Sequence, residues 1–282
     1  MRYYELEISS GQKWYFTCTI LCPIWIHRFL DALGAVSCRD VGFPRIRITS
    51  GTNSFVSPRL YAQGQEFVPT VGLKARHRLS AYGKSSVLSS ILYPIYRQSI
   101  QSGSLPLHAA LLEYGGRGFL LVGHSNTGKT TCCRRIPPPW RALCDEEALL
   151  LREENFSSRV YPLLNLDDFV NNRTRLVYAT LGRIPLAGIF FLKQSESDGI
   201  TYIGKAEAAA RLHSSANDIF LRYEGGIEKD VGEQRLRRFE NACQIAGNVP
   251  CYSLSVSLRG QFWVEMENAI AQSEPSSRLA IA

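Results

Sequence analysis

No apolar run in this sequence is long enough to cross a bilayer. The longest, residues 17–26, has about half the length of a membrane-spanning helix, which needs roughly 20 residues. The segment also lacks the basic leader of a signal peptide, since Glu5 and Glu7 precede it and Pro23 lies inside it. These absences predict a cytoplasmic protein without a membrane partner.

The cysteines show neither a disulfide framework nor a metal-site pattern. There are eight, with no CxxC pair and no Cys/His cluster at zinc spacing, and Cys18 and Cys22 form a weak metal pair at best. A chain of 282 residues can bury its own core without disulfides. We therefore expect buried free thiols.

The basic residues are not gathered into a stripe. The net charge is +7, but the arginines are scattered in small groups without interleaved aromatic residues, which a nucleic-acid interface would need. We expect no nucleic-acid partner. The basic residues are consistent with solvated helix faces. Their positive field is equally consistent with an acidic ligand, such as ATP or an acidic peptide.

The hydrophobic pattern predicts an N-terminal α+β domain over residues 1–100. Its predicted elements are a hairpin of strands 3–8 and 13–19, a helix over 24–33, a strand over 45–49 and a helix over 86–99. Residues 101–106, rich in Gly and Ser, are predicted to link this domain to the next.

Residues 101–272 are predicted to form a second, α/β domain, because strand and helix patterns alternate there. The predicted strands are 108–114, 118–122, 141–152, 186–192 and 251–258, and the predicted helices are 205–223, 231–246 and 262–271. Residues 273–282 are predicted to be a loose tail.

A phosphate-binding motif lies early in the second domain. Eight consecutive residues match G-x-x-x-x-G-K-[ST]: Gly123, His124, Ser125, Asn126, Thr127, Gly128, Lys129 and Thr130. Backbone N–H groups of such a loop converge on phosphates, the Lys reaches the β/γ-phosphates and the Thr hydroxyl ligates Mg²⁺. A strand leads into the loop, and a short helix from about Gly128 can follow it, until three prolines end it near residue 136. The motif predicts a nucleoside triphosphate site with Thr131 at its edge.

Acidic residues and a histidine flank this motif at short sequence distances. Asp145 comes sixteen residues after Lys129 and is followed by Glu146, and His108 lies fifteen residues before Gly123. One carboxylate beside the loop can ligate Mg²⁺ and the other can take a proton from an attacking hydroxyl. We prefer Asp145 as the base and Glu146 for the metal, although strand alternation leaves open which of the two faces the phosphates. Taken alone, a histidine at a strand start is more often structural.

These residues together resemble the HPr kinase/phosphorylase superfamily, whose catalytic domain is similar to the nucleotide-binding half of phosphoenolpyruvate carboxykinase. The resemblance covers residues 107–111, 118–123, the motif and Asp145-Glu146. It implies an ATP- and Mg²⁺-dependent kinase core in which His108 and Asp145 activate a serine hydroxyl and Glu146 holds the metal. The family commonly has Asp-Asp where this chain has Asp145-Glu146. Enzymes of this type are often hexameric, so the resemblance also implies a possible homo-oligomer.

A narrower resemblance, over residues 92–258, is to the HPr kinase-like proteins of the SynChlorMet cassettes. These cassettes encode radical SAM proteins and a small PqqD-like peptide-binding protein, which implies a role in peptide maturation, with a precursor peptide, a PqqD-like carrier or a radical SAM protein as partner. The chain departs from this pattern in residues 161–168, where a His and a Trp are expected around the proline. If that segment contacts the acceptor, substrate choice differs here.

Three functions follow as hypotheses. The leading one is a kinase acting on a serine of a peptide or protein, with catalytic Lys129, His108 and Asp145, and with Thr130, Asp145 and Glu146 at the metal. The second keeps the same site but phosphorylates a small hydroxylated metabolite such as free serine. The third is a non-catalytic ATP-binding partner of a peptide-modifying enzyme, although such a protein has no need of a base.

Overall fold

The N-terminal part of the chain forms a mixed sheet covered by helices. A computed structural model describes residues 1–9, 12–19, 22–39, 42–51, 62–63, 66–67, 70–72, 80–153, 157–163, 165–171, 182–221 and 231–273. The strands β1 (Arg2–Ser9) and β2 (Gln12–Cys18) pair antiparallel, as the alternating pattern predicts. Their apolar residues pack against α1 (Ile24–Ala32), whose predicted bounds are confirmed to within a residue. The other strands of this sheet are β3 (Val36–Ser37), β4 (Arg45–Gly51), β5 (Ala62–Gln63), β6 (Glu66–Phe67) and β7 (Thr70–Gly72).

The long helix α2 (Ala81–Gln101) extends further than the predicted 86–99. Ser80 caps it by accepting a hydrogen bond from the Gly83 N–H at 3.2 Å, and the helix continues through Pro94. Its buried face belongs to the same hydrophobic cluster as the N-terminal sheet, and that cluster also contains Leu149 and Leu151 from the second half of the chain.

The predicted linker over residues 101–106 is shorter than expected, because α2 ends at Gln101 and the next strand, β8 (Leu105–Tyr114), begins four residues later. Pro106 lies inside β8, where a proline would normally break a ladder bond. His108, two residues on, points its N–H away from the neighbouring strand and toward Ser215. Backbone N–H groups alternate between the two sides of a strand, so the position of Pro106 also faces away from β11. The missing N–H of Pro106 therefore removes no hydrogen bond between β8 and β11.

The second sheet is mixed and holds the phosphate-binding motif at the end of an inner strand. Its members besides β8 are β9 (Arg117–Val122), β10 (Arg141–Cys144), β11 (Glu147–Arg152), β12 (Ser158–Pro162), β13 (Ile184–Gln194), β14 (Gly199–Tyr202) and β15 (Cys251–Val256). β9 lies between β8, antiparallel to it, and β13, parallel to it. The helices of this half are α3 (Lys129–Arg135), α4 (Leu166–Val170), α5 (Lys205–Phe220), α6 (Val231–Asn248) and α7 (Phe262–Ser273).

Both faces of this sheet are covered. Residues of α5 and α6 share a cluster with Leu107, Ala109 and Leu120, while α3 and α7 share another with Ala110 and Leu121. Side chains along β8 and β9 thus alternate between the two clusters, which is the strand period of two. The mixed α/β fold class is confirmed.

The strand predicted over residues 141–152 is two strands, β10 and β11, on the same edge of β8. The register shifts by one residue between Ala142 and Cys144, and Asp145 and Glu146 form a bend between the strands. The two carboxylates therefore lie in the middle of an edge and not at a strand tip.

All eight cysteines are free thiols. Within the described ranges, no helix combines the length and the apolar character that spanning a membrane requires. The predicted tail lies outside the described residues, apart from Ser273, which ends α7.

Candidate functional site

The motif loop, residues 123–130, joins the buried strand β9 to the N-terminus of α3. Glycine is needed at both of its ends. Gly128 has φ of 102°, and a Cβ on Gly123 would stand 2.5 Å from Thr127 Oγ1. Asn126 also has a positive φ, of 66°. These positions thus favour a tight loop at the N-terminus of α3.

Lys129 is buried and holds the two sides of the loop together. Its ammonium donates to the carbonyl oxygens of Gly123, at 2.6 Å, and His124, at 2.9 Å. Burial lowers the pKa of Lys129 to about 8, although the carboxylates of Glu146 and Asp145 favour its charged form. A bound anion would favour the charged form of Lys129 and so offset the effect of burial.

Side chains from distant elements brace the loop from outside. His124 Nδ1 lies 2.7 Å from Asp218 Oδ2 on α5, and Gln194 at the end of β13 donates to the Asn126 carbonyl at 2.9 Å. Within the loop, Thr127 Oγ1 donates to the His124 carbonyl at 2.8 Å. The loop conformation is therefore fixed by its own bonds and by two anchors that the sequence motif does not reveal.

The remaining motif residues differ in exposure. Ser125 and Thr131 are exposed and Thr130, the second residue of α3, is half-buried. Thr130 thus remains accessible at the helix N-terminus, where a hydroxyl ligand is predicted.

His108 is the fourth residue of β8 and is buried. Ala109 pairs with Val122, so His108 flanks the point where β9 leads into Gly123. The His108 N–H donates to Ser215 Oγ on α5 at 3.0 Å. On the other side of β8, His108 is directly opposite Glu147. His108 therefore lies on the strand next to the one that leads into the motif loop.

Asp145 and Glu146 lie one strand away from the motif loop, across β8. The Ala109 N–H donates to the Glu146 carbonyl at 3.0 Å, which keeps the bend on the edge of β8. Asp145 is buried and Glu146 is half-buried. Both carboxylates are close enough to influence Lys129, Glu146 more strongly than Asp145. We name His108, Asp145, Glu146 and Glu147 the acidic edge.

Three residues at the acidic edge were not among the predicted site residues. Glu147 is buried and accepts a 2.6 Å hydrogen bond from the hydroxyl of Tyr96 on α2. Asn165 Nδ2 donates to Asp145 Oδ1 at 3.3 Å. The only sequence signals were that Glu147 extends the acidic pair and that Asn165 lies in the segment that departs from the resemblance.

A cleft of about 370 Å³ opens between the first half of the motif loop and α5. Val122, Phe191 and Leu192 form an apolar floor, and Arg211 lies at the wall with its guanidinium over the Phe191 ring. Its volume falls in the lower part of the range of small-molecule pockets.

No group of three or more His, Cys, Asp or Glu is arranged to hold a metal ion within the part of the chain that the structure describes. Mg²⁺ does not need such a cage, since it is usually held by one or two carboxylates together with substrate phosphates and water. The residues that could supply such ligands are Thr130, at the start of α3, and Asp145 and Glu146, whose carboxylates lie near Lys129.

The fold and this site define an α/β protein with a phosphate-loop motif beside a carboxylate-rich strand edge. The family model described as SynChlorMet cassette protein ScmC matches residues 84–271, and the chain belongs to this family. A search of the curated proteins found no match.

Proposed function

We propose that this protein is an ATP-dependent kinase that transfers the γ-phosphoryl group to a serine hydroxyl of a peptide or protein. The supporting observation is that the Glu146 carboxylate and the buried Asp145 carboxylate both lie near Lys129, while the buried His108 lies on β8 beside the point where β9 enters the motif loop. A protein that only binds nucleotide does not require them. Likeness to the HPr kinase/phosphorylase core is part of this proposal.

In this mechanism the loop and its lysine hold the triphosphate. Backbone N–H groups of residues 123–130 and the Lys129 ammonium bind the phosphate oxygens. Thr130, Asp145 and Glu146 would hold Mg²⁺, which when bound neutralises charge that develops on the phosphates.

The transfer step uses the acidic edge. The serine Oγ forms a bond to the γ-phosphorus as the bond from that phosphorus to the β,γ-bridging oxygen breaks, which releases ADP. The hydroxyl proton passes to Asp145. His108, on the neighbouring strand β8, is the second group of the acidic edge that can take a proton. Positioning and charge stabilisation provide most of the acceleration in reactions of this kind.

Membership of the SynChlorMet cassette family supports a setting in peptide modification. On this proposal the acceptor is a precursor peptide, and a PqqD-like carrier or a radical SAM protein is the partner that presents or modifies it.

Label transfer from γ-labelled ATP tests the proposal. The protein with Mg²⁺ is supplied with the short peptides encoded beside its gene, with each of their serines changed to alanine in turn, and with free serine. Label that appears on a peptide and is lost with one serine supports the proposal. Label on free serine alone would favour the metabolite kinase, and tight ATP binding without transfer or hydrolysis would favour the non-catalytic partner.

A further inference from the structure

Asn165 lies between the acidic edge and α4, and its two amide atoms have different partners. Its Oδ1 accepts a hydrogen bond from the Asp168 N–H at 3.0 Å, and its backbone carbonyl accepts one from Phe169 at 2.9 Å. Asn165 is thus the N-cap residue of α4 (Leu166–Val170), with its side chain bonded to the third residue of the helix.

The cap determines which way the amide points. Because the amide oxygen is occupied by a backbone N–H, which can only donate, the amide NH₂ must be the group that faces Asp145. It lies 3.3 Å from Asp145 Oδ1, and a carboxylate oxygen can only accept when it is ionised. Both partners therefore require the same orientation, which removes the usual ambiguity of an asparagine amide.

Capping alone does not explain asparagine at this position, because Ser and Asp cap helices about as well as Asn. Asn differs from both in offering a donor to the carboxylate while it caps. A serine side chain is shorter, and an aspartate would set a second negative charge against Asp145.

We propose that Asn165 is a positioning residue that holds Asp145 in its working orientation, and that the start of α4 serves as its support. This inference rests on the proposed function. It also gives a physical role to residues 161–168, where the chain departs from the pattern of the similar proteins. This segment places the Asn165 amide against the Asp145 carboxylate.

Three substitutions separate positioning from capping. Asn165→Ser keeps a cap and loses the donor, Asn165→Asp keeps a cap and replaces the donor with a charge, and Asn165→Ala loses both. If the residue acts only through stability, kcat follows the melting temperature and Ala is the worst variant. If it positions Asp145, kcat falls in the Ser variant although its melting temperature stays near the wild type, and the Asp variant, which adds a charge beside Asp145, has the lowest kcat.

The expected kcat of the Ser variant is about tenfold below the wild type and that of the Asp variant about a hundredfold below, the scale of loss for a misplaced reacting group. The KM for ATP stays within about twofold because the motif loop is untouched. Wild-type kcat in both the Ser and the Asp variants overturns the inference while the kinase function stands. Absence of transfer by the wild-type protein overturns the proposed function, and this inference with it.

The contact itself has a readout that needs no turnover. The side-chain NH₂ signals of Asn165, assigned by their loss in Asn165→Ser, should shift and exchange faster with water in Asp145→Ala. Unchanged signals would overturn the contact even in an active kinase.

Discussion

The motif loop and the acidic edge lie side by side on one sheet, yet they are assembled from different parts of the chain. The loop consists of eight consecutive residues, and its central bonds, from Lys129 to Gly123 and His124, span five or six positions. The acidic edge combines β8 with the bend after β10, and Tyr96 and Asn165 reach it from 51 and 20 residues away. On the proposed function, phosphate binding thus relies mainly on a local segment, whereas the chemistry beside it depends on packing between distant elements. Substitutions should accordingly divide into those that change nucleotide binding and those that change transfer alone.

The largest expected effect on binding is that of Lys129→Ala. Its ammonium would make charge-assisted hydrogen bonds to the phosphates, so its removal should weaken ATP binding by at least about a hundredfold in calorimetry. The exposed Lys205 provides the control, and Lys205→Ala should bind as the wild type does. Retained binding in Lys129→Ala would contradict the role of the loop.

Asp145→Asn should show the opposite pattern. ATP binding persists because the loop is intact, while the transfer rate falls by at least roughly a hundredfold, the usual scale for loss of a general base. Single-turnover transfer and calorimetry on the same sample measure the two quantities. The exposed Asp31→Asn is the control, and full activity in Asp145→Asn would exclude it as the base.

ATP affinity should also depend on pH through Lys129. Burial lowers its pKa to about 8 in the empty loop, and bound phosphate raises that pKa by favouring the charged form. Binding therefore takes up a proton, and affinity falls as pH rises through about 8, by about tenfold from pH 7 to pH 9. Calorimetry in buffers of different ionisation enthalpy detects the uptake. Lys129→Arg, which stays charged, should show a flat profile, and a flat profile in the wild type would contradict the assignment.

Tyr96→Phe tests whether the acidic edge extends into α2. The loss of the 2.6 Å bond leaves a buried carboxylate oxygen of Glu147 without this donor, which costs about 1–3 kcal/mol of stability. Because Glu147 is opposite His108, we expect kcat to fall severalfold at unchanged ATP affinity. Thermal unfolding and steady-state kinetics measure the effects. Tyr82→Phe, on the exposed start of the same helix, is the control. A change in ATP affinity alone would contradict the expectation that the motif loop controls nucleotide binding and the acidic edge controls transfer.

Asp218→Asn should have the smallest effect. It removes the charge that anchors His124, but this pair is largely exposed, and such pairs contribute about 0–1 kcal/mol. ATP affinity should fall no more than about fivefold. A loss as large as that of Lys129→Ala would mean that the loop is not self-sufficient and depends on α5.

The motif loop and the acidic edge also differ in how far the sequence predicts them. The motif loop was predictable residue by residue, because glycine geometry, the preceding apolar strand and the following helix are all local signals. The strand over 141–152 was predicted as one element, since nothing in its apolar pattern marks the bend at Asp145. The partners of Asp145, Glu147 and His124 were not predictable, because each contact joins segments that have no shared periodicity. The linker over 101–106 was predicted too long, because its Gly and Ser residues drew attention away from Leu105, which already belongs to β8.

Helix α2 connects the two sheets through a shared hydrophobic core. Its apolar face is buried against the N-terminal sheet and against Leu149 and Leu151 of β11 in one continuous core, and Ser80 caps its start. Neither sheet can melt without uncovering this face, so heating should unfold both in one transition. A fragment cut at residue 84, where the family match begins, would lose the cap and the first turn of the helix and would expose the surface that the N-terminal sheet covers. Such a fragment should therefore be less stable than the whole chain.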